Sequence, residues 1–220
     1  SAALSALPGG MRGRLSGPYA LTGALTNPTI DLTLAAVNLA GLPDALIDAT
    51  GTAPTLRAGL RLEDGGLRID SARLTGQRAI VTAAGRWAWS GSSDVRASLV
   101  QSAPISAGGW DVSLGTAQLQ ITGRNDALRF NISTTGGRAS GSGQKVTGLA
   151  LTGDIRAAGA NFTGPLSLRA DVEGEPLTLD ARLDRRKGET RLDAMEGKLG
   201  PGLFGGALVL TDAGGFMGDF

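Results

Sequence analysis

The stretch that decides the fold spans residues 27–38 and reads NPTIDLTLAAVN. Apolar residues fall on every second position, including Ile30, Leu32 and Leu34. This period of two is typical of a β-strand with one apolar face and one polar face. Pro28 marks the start of the strand, because proline cannot donate to a ladder of backbone hydrogen bonds. The same alternation recurs to the end of the chain and predicts about twelve to fourteen strands.

Five short turns predict that successive strands are antiparallel neighbours. The first, Asp64-Gly65, is a dipeptide that strongly favours a β-hairpin. Each turn brings apolar residues of both strands to one face, as a shared register requires. The predicted pairs are Leu62–Leu67 and Leu60–Ile69 at the first turn, Trp89–Val95 and Trp87–Ala97 at Gly91-Ser92-Ser93, Ile121–Leu128 and Leu119–Phe130 near Arg124-Asn125, and Val172–Leu177 and Ala170–Leu179 at Gly174-Glu175.

The fifth turn, at Lys187-Gly188, contains an independent check on its register. It pairs Leu183 with Leu192 on the apolar face, and it sets opposite charges against each other on the polar face. Opposite charges that face each other across two strands stabilise the pairing by about 0.2–1 kcal/mol each. The predicted charged pairs are Arg186–Glu189, Asp184–Arg191 and Arg182–Asp193.

The composition excludes several classes of protein. The 220 residues include 35 glycines but only nine aromatic residues, and neither cysteine nor histidine is present. A net charge of +1 gives no concentrated basic surface for nucleic acid. Disulfides and Cys/His metal sites are impossible, and no cofactor is expected. Without these residues, and without a G-x-S-x-G or P-loop motif, catalysis has little support, so we expect that the chain is not an enzyme.

An apolar sheet face must be covered either by the protein itself or by a ligand. The abundance of glycine and the scarcity of aromatics favour a strongly bent sheet whose apolar lining receives a lipid. An ordinary packed core remains the alternative, because periodicity cannot distinguish a ligand from a partner sheet. The candidate lining residues are Ile30, Leu32, Leu34, Leu60, Leu62, Leu67, Ile69, Leu119, Ile121, Leu128, Phe130, Leu166, Leu168, Leu177, Leu179, Leu183 and Leu192.

Residues 23–32, GALTNPTIDL, resemble the G-x-L-x-N-P-x-hydrophobic unit of the TamB and AsmA-like family. The later leucine-rich hairpins, the recurring apolar-Thr-Gly tripeptides and residues 205–210, GGALVL, are similar to that family as well. The resemblance covers most of the chain from about Leu15. It implies an all-β, elongated and strongly curved antiparallel meander, called a β-taco or repeating β-groove, with an apolar inner face.

The resemblance also implies a location and a role. Proteins of this family lie in the periplasm of Gram-negative bacteria, are anchored in the inner membrane and reach the outer membrane. They are linked to phospholipid transport and, for TamB, to outer-membrane assembly with TamA, an Omp85-type barrel. We therefore expect phospholipid or another acyl-chain cargo, a TamA-like partner for the full-length protein, an inner-membrane anchor outside this segment, and no nucleic-acid partner.

Residues 1–16 are expected to form a partial repeat or a connection, and residues 17–220 a repeating β-groove segment of a longer protein. Residues 39–49 are the only stretch that could host a helix, of a single turn at best, and a looped strand is an equal alternative there. The alternative function is a structural β-rich module of a secreted adhesin or passenger protein without lipid cargo. An outer-membrane barrel is disfavoured because its two aromatic girdles need more aromatic residues than this chain has.

Overall fold

The computed structural model describes residues 2–3, 12–24, 26–40, 44–107, 109–186, 188–211 and 216–219. The fold is all-β and antiparallel, with one short helix, which confirms the predicted fold class at this level. The chain divides into two units, unit 1 from Ser1 to Ser113 and unit 2 from Leu114 to Phe220. The described residues form nineteen strands, more than the twelve to fourteen predicted, because several strands have only two to five residues.

Unit 1 contains ten strands and the helix. Their bounds are β1 (Ala2–Ala3), β2 (Arg12–Ser16), β3 (Tyr19–Thr22), β4 (Thr29–Ala40), α1 (Asp44–Thr50), β5 (Thr55–Glu63), β6 (Gly66–Thr75), β7 (Ala79–Ala88), β8 (Ser93–Gln101), β9 (Ile105–Ala107) and β10 (Trp110–Ser113). Strands β4 to β8 pair in chain order as a meander. Strands β9 and β10 form a hairpin.

Unit 2 contains nine strands. Their bounds are β11 (Thr116–Arg124), β12 (Ala127–Thr135), β13 (Gly137–Gly141), β14 (Gln144–Ala158), β15 (Asn161–Val172), β16 (Glu175–Arg186), β17 (Glu189–Leu199), β18 (Gly202–Thr211) and β19 (Phe216–Asp219). Strands β14 to β19 again pair in chain order.

Each unit has one long strand whose edge is shared by two shorter strands. In unit 1, β2 and β3 both pair with β4. In unit 2, β12 and β13 both pair with β14. The break between β2 and β3 falls at Gly17 and Pro18, where the Pro18 carbonyl accepts a hydrogen bond of 3.0 Å from the Thr33 backbone N–H.

Two of the five predicted hairpin registers are confirmed. Leu62 lies opposite Leu67, and Leu60 lies opposite Ile69. Around the fifth turn, Leu183 lies opposite Leu192, and all three predicted charged pairs are in register. Lys187 itself lies outside the described residues.

The register predicted around Gly91 is wrong by four residues, because Val95 lies opposite Gly85 and Ala97 lies opposite Ala83. Strand β7 ends at Ala88, whose backbone N–H donates to the buried Ser93 hydroxyl at 2.9 Å. The N–H groups of the next two residues, 89 and 90, bond the Gly65 carbonyl of the neighbouring hairpin. These hydrogen bonds draw Trp89 out of the ladder and lengthen the turn.

The two other registers are each wrong by two residues. Ile121 lies opposite Phe130, and Ala170 lies opposite Leu177. In both hairpins the turn begins one residue away from the predicted position, at 125–126 and at 173–174. A shift of two residues keeps every side chain on its original face, so the predicted grouping of apolar residues is unaffected.

The helix α1 has seven residues, which is longer than the single turn expected within 39–49. Pro43 precedes it in the sequence and does not prevent it, because the first N–H groups of a helix have no intrahelical partner. Within the part of the chain that the structure describes, no helix combines the length and the apolar character needed to cross a bilayer.

Candidate apolar binding surface

The registers of unit 1 align apolar side chains in three rows that run across strands β4 to β8. Residues directly opposite each other in antiparallel strands lie on the same face of the sheet. We call this set of rows the unit 1 apolar face. Its rows are Leu34, Leu56, Leu74, Val81 and Leu99; Leu32, Ala58, Ala72, Ala83 and Ala97; and Ile30, Leu60, Ile69, Gly85 and Val95.

The middle row is made of smaller side chains than the rows on either side. Four of its five residues are alanine, whereas the flanking rows consist mainly of leucine, isoleucine and valine. The flanking rows are four residues apart along β4, β5, β7 and β8, which corresponds to about 14 Å, and five residues apart along the bulged strand β6. Across the five strands, the alanine row extends for about 19 Å at ~4.8 Å per strand spacing.

Unit 2 has an equivalent set of rows, which we call the unit 2 apolar face. It contains all ten of the candidate residues predicted in this part of the chain. Its main rows are Ile121, Phe130, Ile155, Leu183, Leu192 and Leu208; Leu119, Ile132, Gly153, Leu166 and Ala181; and Leu151, Leu168, Leu179, Gly197 and Phe204.

None of the seventeen candidate residues is fully buried. Sixteen are half-buried, and Leu62 has 36% of its surface exposed. The buried apolar residues of the described chain are mostly alanines, joined by Val95, Ile155 and Met195. A closed hydrophobic core normally places leucine and isoleucine among its most buried residues. The seventeen candidate side chains therefore keep part of their surface accessible.

A concavity on the unit 2 apolar face lies between two phenylalanines. The rings of Phe130 and Phe162 are 6.0 Å apart, with an interplanar angle of 54°. Together with Ile132, Ile155 and Leu183 they line an open pocket of about 370 Å³. Arg185 and Thr190 complete the lining, and the Arg185 guanidinium donates a hydrogen bond of 3.0 Å to the Thr190 hydroxyl.

The opposite face of each sheet is polar and carries ion pairs. Around the fifth turn, Arg186 bonds Asp184 at 2.9 Å along its own strand, and Arg191 lies 3.3 Å from Asp193. The predicted charged residues thus lie directly opposite each other, but these ion pairs join residues of the same strand and not residues of the two paired strands. The Arg186 side chain is largely exposed and Arg191 and Asp193 are partly exposed, so each ion pair contributes little to stability.

Two carboxylates of unit 2 have shifted pKa values. The Arg129 guanidinium, which donates to Asp154 through Nε at 2.6 Å and also through its terminal nitrogen, holds the pKa of that carboxyl below its ordinary value. The hydrogen bonds from Arg186 lower the pKa of Asp184 in the same way. Both carboxylates therefore stay ionised to a lower pH than an isolated aspartate.

Sequence reasoning did not identify Ile132, Ile155, Phe162 or Arg185 as part of the surface. Arg185 could have been identified, because it lies two residues after Leu183 in the same strand and therefore shares its face. The Trp87 side chain shares the unit 1 apolar face, since it lies opposite Leu67. Trp89 follows the end of β7 and is 54% exposed.

Within the described ranges, no group of three or more acidic side chains is arranged to hold a metal ion. Comparison of the chain with models of protein families, with curated proteins and with solved structures finds no match.

Proposed function

We propose that this chain is a segment of a periplasmic bridge protein that carries phospholipid along its apolar face between the inner and outer membranes. In this proposal the sheet is strongly curved, and the rows of apolar side chains form the inner lining of a groove. The protein also supports the assembly of outer-membrane proteins, with a TamA-like partner for the full-length chain. The protein is not an enzyme and has no cofactor.

One observation carries the proposal. The seventeen candidate residues share the apolar faces of the two units, yet they remain half-buried or exposed. Removing apolar surface from water is favourable by about 0.8 kcal/mol per methylene. An acyl chain laid on these rows would remove both its own surface and that of the leucines from water.

The regularity of the rows supports movement of the lipid along the sheet. Neighbouring strands present similar aliphatic residues at each step, so the free energy of burying an acyl chain changes little from one strand to the next. No single position on such a surface binds the lipid much more tightly than its neighbours do. On the unit 1 apolar face, the alanine row gives an acyl chain room between two rows of larger side chains.

Several β-bulges support the bending that a groove requires. Register shifts occur between β5 and β6 at Gly59/Leu60 and between β6 and β7 at Ile69/Ala72. Unit 2 has shifts between β14 and β15, between β16 and β17, and between β17 and β18. A bulge bends its strand and increases the local twist. The envelope location and the partners follow from the sequence resemblance to the TamB and AsmA-like family.

The experiment that tests the proposal uses two pairs of directly opposed residues on the same two strands. Leu60→Glu with Ile69→Glu places two charges on the apolar face, and Thr55→Glu with Thr75→Glu places two charges on the polar face. Uptake of a fluorescently labelled phosphatidylglycerol from vesicles is measured for both variants. We expect at least about a tenfold loss in the first variant, equivalent to ~1.4 kcal/mol, and little change in the second.

A folded Leu60→Glu/Ile69→Glu variant that takes up lipid as the unchanged chain does would overturn the proposal. Circular dichroism and denaturant unfolding establish that each variant is folded. Mass spectrometry of lipids extracted from the purified protein provides a second readout. If the unchanged chain binds no lipid by either method, the alternative of a structural β-rich module without cargo is the better account.

A further inference from the structure

The polar face of unit 1 contains a pair of arginines that lie directly opposite each other without a carboxylate between them. Arg57 on β5 is the register partner of Arg73 on β6. Both side chains are exposed. Like charges directly opposite each other destabilise a strand pair. A group of opposite charge placed between them would therefore stabilise this part of the sheet.

Other opposed arginine pairs in the described strands do have such a group. They are Arg61–Arg68, Arg68–Arg86 and Arg129–Arg156. In each of these pairs, at least one arginine forms an ion pair with an aspartate or glutamate. Within the described part of the chain, Arg57 and Arg73 are the opposed arginines of which neither forms an ion pair with an acidic side chain.

The neighbouring pair on the same two strands shows which chemical group fits. The Asp70 carboxylate lies 2.8 Å from Arg68 Nε and 3.4 Å from a terminal nitrogen of Arg61. One planar oxyanion thus bridges two opposed guanidinium groups. The guanidinium fork matches carboxylate and phosphate oxygens equally well. The Arg57–Arg73 pair is likewise directly opposed on these two strands, on the other side of the β-bulge at Gly59/Leu60, and it has the same donors.

The surroundings of the pair are concave, and their lining combines polar and apolar residues. Arg57 and Arg73 line an open pocket of about 420 Å³. Hydroxyl-bearing Thr33 and Ser71 belong to the same lining and can donate further hydrogen bonds. Asp31 also lines the pocket, so its charge opposes part of the attraction for an anion. With two arginines against one aspartate, the net charge of the lining remains positive.

We infer that Arg57 and Arg73 form a binding site for a phosphate-type oxyanion. The ligand is a phosphate group, carried either by a lipid head group at a membrane surface or by a soluble phosphorylated molecule. The site lies on the polar face, opposite the alternating residues Leu56, Ala58 and Leu74 of the apolar face. It is therefore independent of the proposed groove, and each proposal can fail without the other.

The first test follows the arginine Nε–H signals of the isotopically labelled protein by NMR during titration with inorganic phosphate. We expect saturable shifts at Arg57 and Arg73. The variant Arg57→Gln/Arg73→Gln should bind phosphate at least tenfold more weakly. The matched control, Arg61→Gln/Arg68→Gln, removes the same charge from the same two strands and should bind phosphate as the unchanged protein does.

A second variant keeps both arginines and supplies an internal carboxylate. Ser71 precedes Arg73 by two residues and lies opposite Gly59, so Ser71→Asp places a carboxylate beside the pair. We expect this variant to lose phosphate binding at least tenfold although its arginines remain. This result is also informative if the double glutamine variant does not fold.

A parallel arm measures flotation with vesicles of phosphatidylcholine alone and with added phosphatidylglycerol. Binding to the anionic vesicles that depends on Arg57 and Arg73 indicates a lipid head group, whereas saturable binding of free phosphate alone indicates a soluble phosphorylated ligand. The inference is overturned if the unchanged protein binds neither probe, or if the Arg61→Gln/Arg68→Gln control loses binding to the same extent.

Discussion

The ring centroids of Phe130 and Phe162 lie 6.0 Å apart at an angle of 54°. The two residues are not direct register partners. Phe130 lies opposite Ile155 on β14, and Phe162 on β15 lies opposite Ala157. The rings therefore approach each other diagonally across β14, and both line the pocket on the unit 2 apolar face.

Replacing Phe162 by alanine should remove one of the two aromatic sides of this pocket and weaken the binding of an acyl chain. Aromatic contacts of this kind are worth ~0.5–1.5 kcal/mol beyond the buried area, so we expect roughly three- to tenfold weaker binding of a fluorescent fatty acid. Phe204→Ala is the matched control, because Phe204 lies on the same face outside the pocket lining. An equal loss in both variants would show that the pocket has no special role.

Gly85 should tolerate alanine less well than Gly91. Both have positive φ angles, of 132° and 98°. A Cβ at Gly85 would collide with the backbone of Asp94 on β8, whereas a Cβ at Gly91 would meet no atom within 4 Å. We expect Gly85→Ala to lower the free energy of unfolding by about 1–3 kcal/mol more than Gly91→Ala does. Urea unfolding of both variants measures the difference, and similar values would contradict the close approach of β7 and β8.

The ion pair between Arg129 and Asp154 should give a defined pH dependence. Because Arg129 lowers the pKa of Asp154 in the folded state, the stabilisation is present above the unfolded pKa of about 3.9. It is lost as the pH falls through the lower folded pKa. In Arg129→Gln, the pKa of Asp154 should rise towards its ordinary value, as measured by carboxyl NMR titration. The pKa of Asp184, whose hydrogen bond comes from Arg186, should not change and serves as the control.

Asp48 should be needed to hold helix α1 against strand β9. Its carboxylate accepts a hydrogen bond of 2.8 Å from the Ser106 backbone N–H and lies 3.2 Å from the Arg78 guanidinium. These contacts are partly exposed, so we expect Asp48→Ala to lower the free energy of unfolding by about 0.5–1.5 kcal/mol. Asp126→Ala, which breaks the exposed contact with Arg124 at 3.5 Å, should cost less than ~0.5 kcal/mol. Equal effects would contradict a specific role of Asp48.

The sequence predicted which residues share a face better than it predicted which residues are partners. The seventeen candidate residues lie on the apolar face of their unit, although Phe130 pairs with Ile121 and not with Leu119. The reason is that the face depends only on the parity of a position, and a shift of two residues preserves parity. The turn at Gly91 was predicted wrongly because its geometry depends on Gly65, which belongs to another hairpin. No local pattern contains that information.

The sequence by itself determined most of the longer strands, their antiparallel pairing and the side on which their apolar residues lie, because alternation and turn residues act over a few neighbouring positions. Tertiary structure alone decided the positions of the bulges and the contact between Phe130 and Phe162. It also decided that Asp70 bridges Arg61 and Arg68, whereas no carboxylate of the described chain bridges Arg57 and Arg73. These features depend on the exact register between strands. That register is set by the sum of backbone hydrogen bonds and side-chain contacts across the sheet, which no single stretch of the chain specifies.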